Sequence, residues 1–192
     1  MDSAGFQPAF TALTAPSRLK TGAPPAKTEK DYCWCAFSLV NRLHRTPNDT
    51  EQRAPMEAIK EFFSRDQFAK HCGIELLSVS PGHALARMPV QPHHLNGYRT
   101  AQGGAIFTLA DFTFAAASNS HGQIAVAINV NITFMKAVSS GTLQAEAREV
   151  AINPKLGTYT INVTDESNSL VAVFQGLVYR KSETVEAALA RG

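Results

Sequence analysis

The residues with the clearest capacity for chemistry are a glycine pair, Gly103-Gly104, and a carboxylate, Asp111, eight positions after the first glycine. The glycines open a stretch, Gly103 to Asn119, in which Ala105, Ile106, Phe107, Leu109, Ala110, Phe112, Phe114 and Ala115 to Ala117 fall all round a helical axis. A helix apolar on nearly every side has to be enclosed by protein. The first turn of such a helix carries backbone N–H groups without intrahelical acceptors, at the positive end of its dipole. Without Cβ atoms at Gly103 and Gly104, a carbonyl oxygen can approach those amides closely. The pair can therefore stabilise an oxyanion, or it can serve tight packing and the turn into the helix.

Asp111 poses a separate problem. Burying an unpaired carboxylate costs on the order of several kcal/mol. The positions three and four residues away are Phe107, Thr108, Phe114 and Ala115, none of them basic. Either a partner reaches Asp111 from elsewhere in the structure, or the carboxylate is there to act as a general base or nucleophile. Desolvation is expected to raise its pKa, and it has to stay ionised to act as a base.

Spacing adds a constraint. Eight residues of helix span roughly 12 Å, too far for one aspartate side chain to reach a carbonyl held at the helix start. If both groups act on one substrate they come from two helices. The chain offers one suitable helix, so the expectation is a homodimer with two equivalent sites across its interface. Asn96 and Gln102 flank the glycines and can donate hydrogen bonds to a carbonyl oxygen, or cap the loop. Glutamine donates but is neither an acid nor a base. His93 and His94 read as exposed loop residues.

The elements that must position these residues begin near Met56. Residues 1–55 hold six of the ten prolines and the only tryptophan, and keep no period for long; Tyr32 to Leu43 is the one stretch there that could form a short helix. They read as a poorly structured N-terminal extension, with Met56 as the expected native start. Met56 to about His71 reads as an amphipathic helix stopped by Gly73. Ile74–Ser80 and Ala84–Val90 form a hairpin, and Gln91–Ala101 is a polar loop. After the central helix come strands over Ala125–Met135, Gly141–Ile152, Thr158–Thr164 and Leu170–Arg180, the first alternating Val126, Ile128, Val130, Ile132 and Phe134 on one face. The domain is placed at 56–182 and a C-terminal tail, a short helix or frayed end, at 183–192. The sum is an α+β domain: a mostly antiparallel six-stranded sheet wrapped around one long central helix.

Composition narrows the partners. From Met56 onward there are 11 basic and 11 acidic residues, and the whole chain carries +2, which gives no reason to expect nucleic acid. No run of about 18 apolar residues suggests a membrane helix. Cys33, Cys35 and Cys72 fit neither a disulfide framework nor a metal site, so a reducing, cytoplasmic setting is the simplest expectation, with no metal or cofactor.

The segments "NGYRTAQGGAIFTLADFTFAAAS" and "VAINVNITFMKAVSSGTLQAEA" resemble the phenylacetate-degradation (PaaI-like) acyl-CoA thioesterases of the hotdog fold. The family pattern is an Asn-rich loop, usually His-Gly-Gly, then Leu-Ala-Asp. It falls here on Asn96, Gln102-Gly103-Gly104 and Leu109-Ala110-Asp111, and the likeness covers about residues 57–181. The resemblance implies hydrolysis of an acyl-CoA with a small aromatic or medium acyl chain, in a homodimer or dimer of dimers. Asp111 would work opposite the Gly103 and Gly104 amides of the neighbouring subunit, with Lys136, Arg180 and Lys181 as candidates for the CoA phosphates. Two positions depart from the pattern. Gln102 stands where the family usually has His, and Ala127 stands about where some members carry a water-holding Ser or Thr. A non-catalytic acyl-CoA-binding protein and, further off, a hydratase or dehydratase are the alternatives.

Overall fold

The computed structural model describes residues 49–191, with side chains from Met56 on. The expectations for the leader therefore lie almost wholly outside the described residues. The order is α1 (Asp49–Ser64), α2 (Gln67–His71), β1 (Glu75–Ser80), β2 (His83–Pro89), a 3-10 turn (Pro92–His94), α3 (Gly103–Asn119), β3 (Gln123–Phe134), β4 (Thr142–Ile152), β5 (Leu156–Thr164), β6 (Leu170–Thr184) and α4 (Val185–Leu189). Six strands form one sheet in the order β1-β2-β4-β5-β6-β3, with every pairing antiparallel. The helix α3 lies against β2, β3, β4, β5 and β6. This is the expected architecture.

Small side chains let the helix settle onto the sheet. Ala84 pairs with Ala147 and Ala86 with Ala145 across β2 and β4, and all four are fully buried. Larger side chains fill the flanks: Tyr159, Ile161 and Val163 from β5, Phe174 and Val178 from β6, Leu109 and Phe114 from α3. Each such large apolar side chain contributes about 1.5–3 kcal/mol on burial. Phe114 lies edge-on to Tyr159, with ring centroids 5.5 Å apart. The helix is fixed at its far end by Asn119, whose Oδ1 accepts the Ala125 N–H (3.0 Å) while its Nδ2 donates to the Ala125 carbonyl (3.2 Å).

Several boundaries differ from the sequence reading. The helix expected over Met56–His71 is two helices. It starts at Asp49, so the 55/56 boundary falls inside α1, and it breaks after Ser64. There Asp66 takes an extended conformation and caps α2, its carboxylate accepting the Phe68 and Ala69 N–H groups at 2.9 Å each. In β3 the expected alternation is interrupted by a register shift between Ala127 and Asn129, which leaves Ile128 54% exposed. Of the short helix or frayed end expected over 183–192, the helix is what forms, as α4 (Val185–Leu189). β6 runs on to Thr184, and Val185 is fully buried with its N–H donated to the Gly122 carbonyl at 3.0 Å.

Gly176 on β6 makes room for α3. A Cβ built there would stand 2.4 Å from the ring of Phe114. Gly176→Ala is therefore expected to destabilise the domain by about 1–3 kcal/mol through overpacking. Thermal denaturation checks this, and the same substitution should cost less in a Phe114→Leu background.

Candidate active site

The site is built on the open face of α3. Gly104, Thr108 and Asp111 stand at i, i+4 and i+7, and so share one face of the helix. With Phe68, His71 and Cys72 from α2 and its C-cap, and His93 to Leu95 and Gln102 from the loop before α3, they line a groove of about 660 Å³. The helix is thus enclosed by sheet and α2 on most sides, not all, and the uncovered strip carries the reactive groups. That Gly104 and Asp111 share a groove within one subunit did not follow from spacing alone. Seven residues of helix still separate them by about 10.5 Å.

Asp111 is half-buried and has no hydrogen-bond or ion-pair partner among the described residues. Its pKa is raised, first by burial and second by the negative charge of Asp66 at the start of α2. Both effects disfavour the carboxylate relative to the neutral acid.

The amide end differs from the simple expectation. Gln102 is the N-cap of α3, in an extended conformation (φ −64°, ψ 135°), and its side-chain oxygen accepts the Gly104 N–H. A Cβ at Gly104 would stand 2.6 Å from that oxygen, so the glycine is what admits the capping side chain. Of the two expected oxyanion donors, Gly104 is therefore engaged by Gln102, while the Gly103 N–H has no acceptor among the described residues.

Asn96 is used by its own loop. Its Oδ1 accepts the Tyr98 N–H (2.9 Å) and the Thr100 N–H (3.2 Å), and its Nδ2 donates to Thr100 Oγ1 (3.0 Å). This holds a turn in which Arg99 takes a φ of 61°. It leaves Asn96 one side-chain N–H and makes it first a residue that shapes the approach to Gly103.

The three basic candidates do not converge. Lys136 stands beside the helix start, where it lines a second hollow with Gly103, Ile106 and Phe134, and it pairs with Asp165 at 2.5 Å. Arg180 pairs in register with Ala125, at the opposite end of β3 from Phe134, which faces Ala172. Its guanidinium donates to the Asn153 carbonyl at 2.9 Å. Lys181 is exposed on the same remote end. Within one subunit, then, only Lys136 adjoins the candidate site.

Two groove residues were not visible from residue type. His94, expected on the surface, is 4% exposed, because the 3-10 turn folds it under the loop. Its Nδ1 accepts the Gln91 N–H at 3.1 Å, its carbonyl accepts the Gln102 N–H at 2.8 Å, and burial, followed by neighbouring His93, holds its pKa below the usual histidine range. It acts as a neutral strut under the cap of α3. The other is Thr108, one turn before Asp111, whose Oγ1 donates to the Gly104 carbonyl at 2.8 Å. Its spacing from Gly104 and Asp111 was the available signal. Among the described residues no group of three His, Cys, Asp or Glu is arranged to hold a metal ion, and no helix is long and apolar enough to cross a membrane.

The arrangement can be compared with known proteins. Residues 98–172 match the model of the thioesterase superfamily. A putative esterase of Archaeoglobus fulgidus is 42% identical over 130 residues, covering 67% of this chain and 84% of the relative. The acyl-coenzyme A thioesterase PaaI of Escherichia coli is 36% identical over 124 residues, 64% of this chain and 89% of the relative. Among solved structures, the E. coli PaaI protein of the phenylacetic acid degradation operon superposes with a TM-score of 0.67 at 32% identity, covering 69% of this chain and 97% of that one. A Streptococcus mutans protein solved with acetyl-CoA bound superposes with a TM-score of 0.56 at 27% identity, covering 58% and 90%. On its sheet, its enclosed helix and these relationships, the chain belongs to the PaaI-like hotdog branch of the thioesterase superfamily.

Proposed function

We propose that the protein hydrolyses acyl-CoA thioesters to the free acid and CoA, with Asp111 as general base or nucleophile and the start of α3 as the oxyanion site. The observation that carries this reading is a half-buried carboxylate without a protein partner among the described residues, facing an open groove. A structural aspartate would be paired. Support for the substrate class comes from the thioesterase relatives and from the neighbour that holds acetyl-CoA. The thioester carbonyl oxygen is received by the Gly103 N–H, and Asp111 either takes the proton of an attacking water or attacks the carbonyl carbon itself.

The same reading makes the protein a homodimer. A carbonyl held at one helix start lies about two turns from the Asp111 of that helix, so Asp111 of the partner has to supply the base. The surface of a single subunit fits this. β3 is an edge strand of 12 residues with an unpaired outer side, and Ile128, Phe134 and, just beyond it, Met135 are 54%, 49% and 61% exposed. Long apolar edges of this kind are templates for pairing. Two β3 strands related by a two-fold axis pair antiparallel, which brings the Arg180 end of one subunit toward the Lys136 end of the other. The three basic candidates, dispersed in one chain, then flank one CoA site.

Asp111→Asn separates this reading from a structural role. The expected outcome is a fall in kcat of about 10²–10⁴-fold. The variant should also melt at a higher temperature than the parent at neutral pH. A carboxyl whose folded pKa is raised is bound to its proton more tightly in the folded state. It therefore costs stability as pH rises from the unfolded pKa through the folded one, and a neutral amide removes that cost. A structural carboxylate would give the opposite, a lower melting temperature. Thiol release over a panel of acyl-CoAs measures the activity, and binding without turnover across the panel would favour a ligand-binding protein instead.

The pH profile gives an independent check. Asp111 works only when ionised and its pKa is raised, so the acid limb of kcat/KM is expected above the ordinary aspartate range. Asp66→Asn removes the second cause of the shift and should move that limb to lower pH.

A further inference from the structure

Beyond the base and the oxyanion site, the geometry points to Thr108 as the residue that holds the attacking water against Asp111, which makes Asp111 a general base and not a nucleophile. This rests on the thioesterase reading and settles a step that reading leaves open.

Side chains on a helix lean toward its N-terminus, so Asp111 reaches back over the turn that carries Thr108. Residues three apart are neighbours, with Cβ atoms about 5–6 Å apart. The two side chains make no hydrogen bond to each other, because Thr108 Oγ1 is turned to the Gly104 carbonyl. Thr108 has already spent its hydrogen: Oγ1 donates to the Gly104 carbonyl at 2.8 Å. Its oxygen is left as an acceptor, with fixed orientation, on the groove side of the helix. Asp111 has no partner among the described residues and, when ionised, is also acceptor-only. Two acceptors one turn apart are complementary to a single water, which has two hydrogens to give. Among the described residues, Thr108 is the only serine, threonine or tyrosine lining this groove.

Thr113, two residues beyond Asp111, makes the same backbone bond to the Leu109 carbonyl, at 2.7 Å, but is fully buried in the core. Its bond serves packing alone. Thr108 differs in facing the groove.

The chemistry balances without another reactant. Water donates one hydrogen to Thr108 Oγ1 and the other to Asp111. As its oxygen adds to the thioester carbon, the second proton passes to Asp111 and the carbonyl oxygen becomes the oxyanion at the helix start. Collapse breaks the C–S bond, and the thiolate of CoA takes the proton from Asp111. The products are the acid and the CoA thiol, and the carboxylate is regenerated.

The test uses the full chain and the acyl-CoA that it turns over best. Thr108→Val keeps the shape and removes the acceptor. It should lower kcat on the order of tenfold or more, as loss of one well-placed hydrogen bond does, with KM within about twofold. Thr108→Ser restores the oxygen and should recover most of the rate, which a purely steric role would not require. Unchanged kcat in Thr108→Val, or equal losses in the Val and Ser variants, would overturn the proposal. A single turnover of the parent enzyme in H2(18)O gives a second readout. The label should appear in the released acid and not in the peptide containing Asp111, whereas label in Asp111 would make it the nucleophile and remove the role of Thr108. If the parent enzyme turned over no acyl-CoA in the panel, the reaction itself would be refuted, an outcome distinct from any of these.

Discussion

Everything in this molecule turns on one helix that the sheet nearly encloses and that nonetheless carries a carboxylate. The alanines of β2 and β4 and the missing side chain at Gly176 let α3 lie close to the strands, and Asn119 fixes its end to β3. Such packing leaves α3 little freedom to tilt or slide. Its groove-facing strip, Gly104, Thr108 and Asp111, is therefore held in place by the core. The cost of desolvating Asp111 is borne by the same core, and that burial is the first cause of its raised pKa.

Rigidity has a second consequence. Because α3 is one continuous helix held by the core, the distance between its amide end and its carboxylate is set at about two turns. No side-chain rotation brings Asp111 to a carbonyl bound at Gly103. On the proposed dimeric reading a single subunit is an incomplete enzyme, completed by a second copy through the exposed apolar edge at β3. The same proposal accounts for the dispersion of Lys136, Arg180 and Lys181, since residues at opposite ends of a strand become neighbours when the strand pairs with its own copy.

Much of this was legible in the sequence, for identifiable reasons. The enclosed helix announced itself because apolar residues surround its axis, and the antiparallel sheet because turns such as "NPKLG" separate alternating runs. Asp111 stood out because nothing at helical spacing could pair with it. What could not be read depended on tertiary contact. His94 looked like a loop residue, and only the fold of the 3-10 turn shows it buried beneath the cap of α3. The bulge at Ile128 breaks an alternation that the residue types alone suggested was regular. The engagement of Gly104 by Gln102 also needed coordinates, since glutamine is not a favoured N-cap residue and reaches the amide because a glycine leaves space for it. Thr108, by contrast, is legible from spacing, since its distance in sequence from Gly104 and Asp111 places it on their face of the helix.

The claim that the site is shared between subunits is open to direct measurement. Gly103→Pro deletes the free donor at the first helical position, where proline is tolerated, and the extended backbone of Gln102 suits a residue before proline. Gly103→Pro and Asp111→Asn should each be nearly inactive as pure proteins. Unfolded and refolded together, they should form mixed dimers in which one site has both lesions and the other has neither. Recovery of thioesterase activity toward about half the parent value per mixed dimer is the predicted result. No recovery, with mixed dimers shown to be present by mass spectrometry, would place both groups in one subunit's groove and contradict the account.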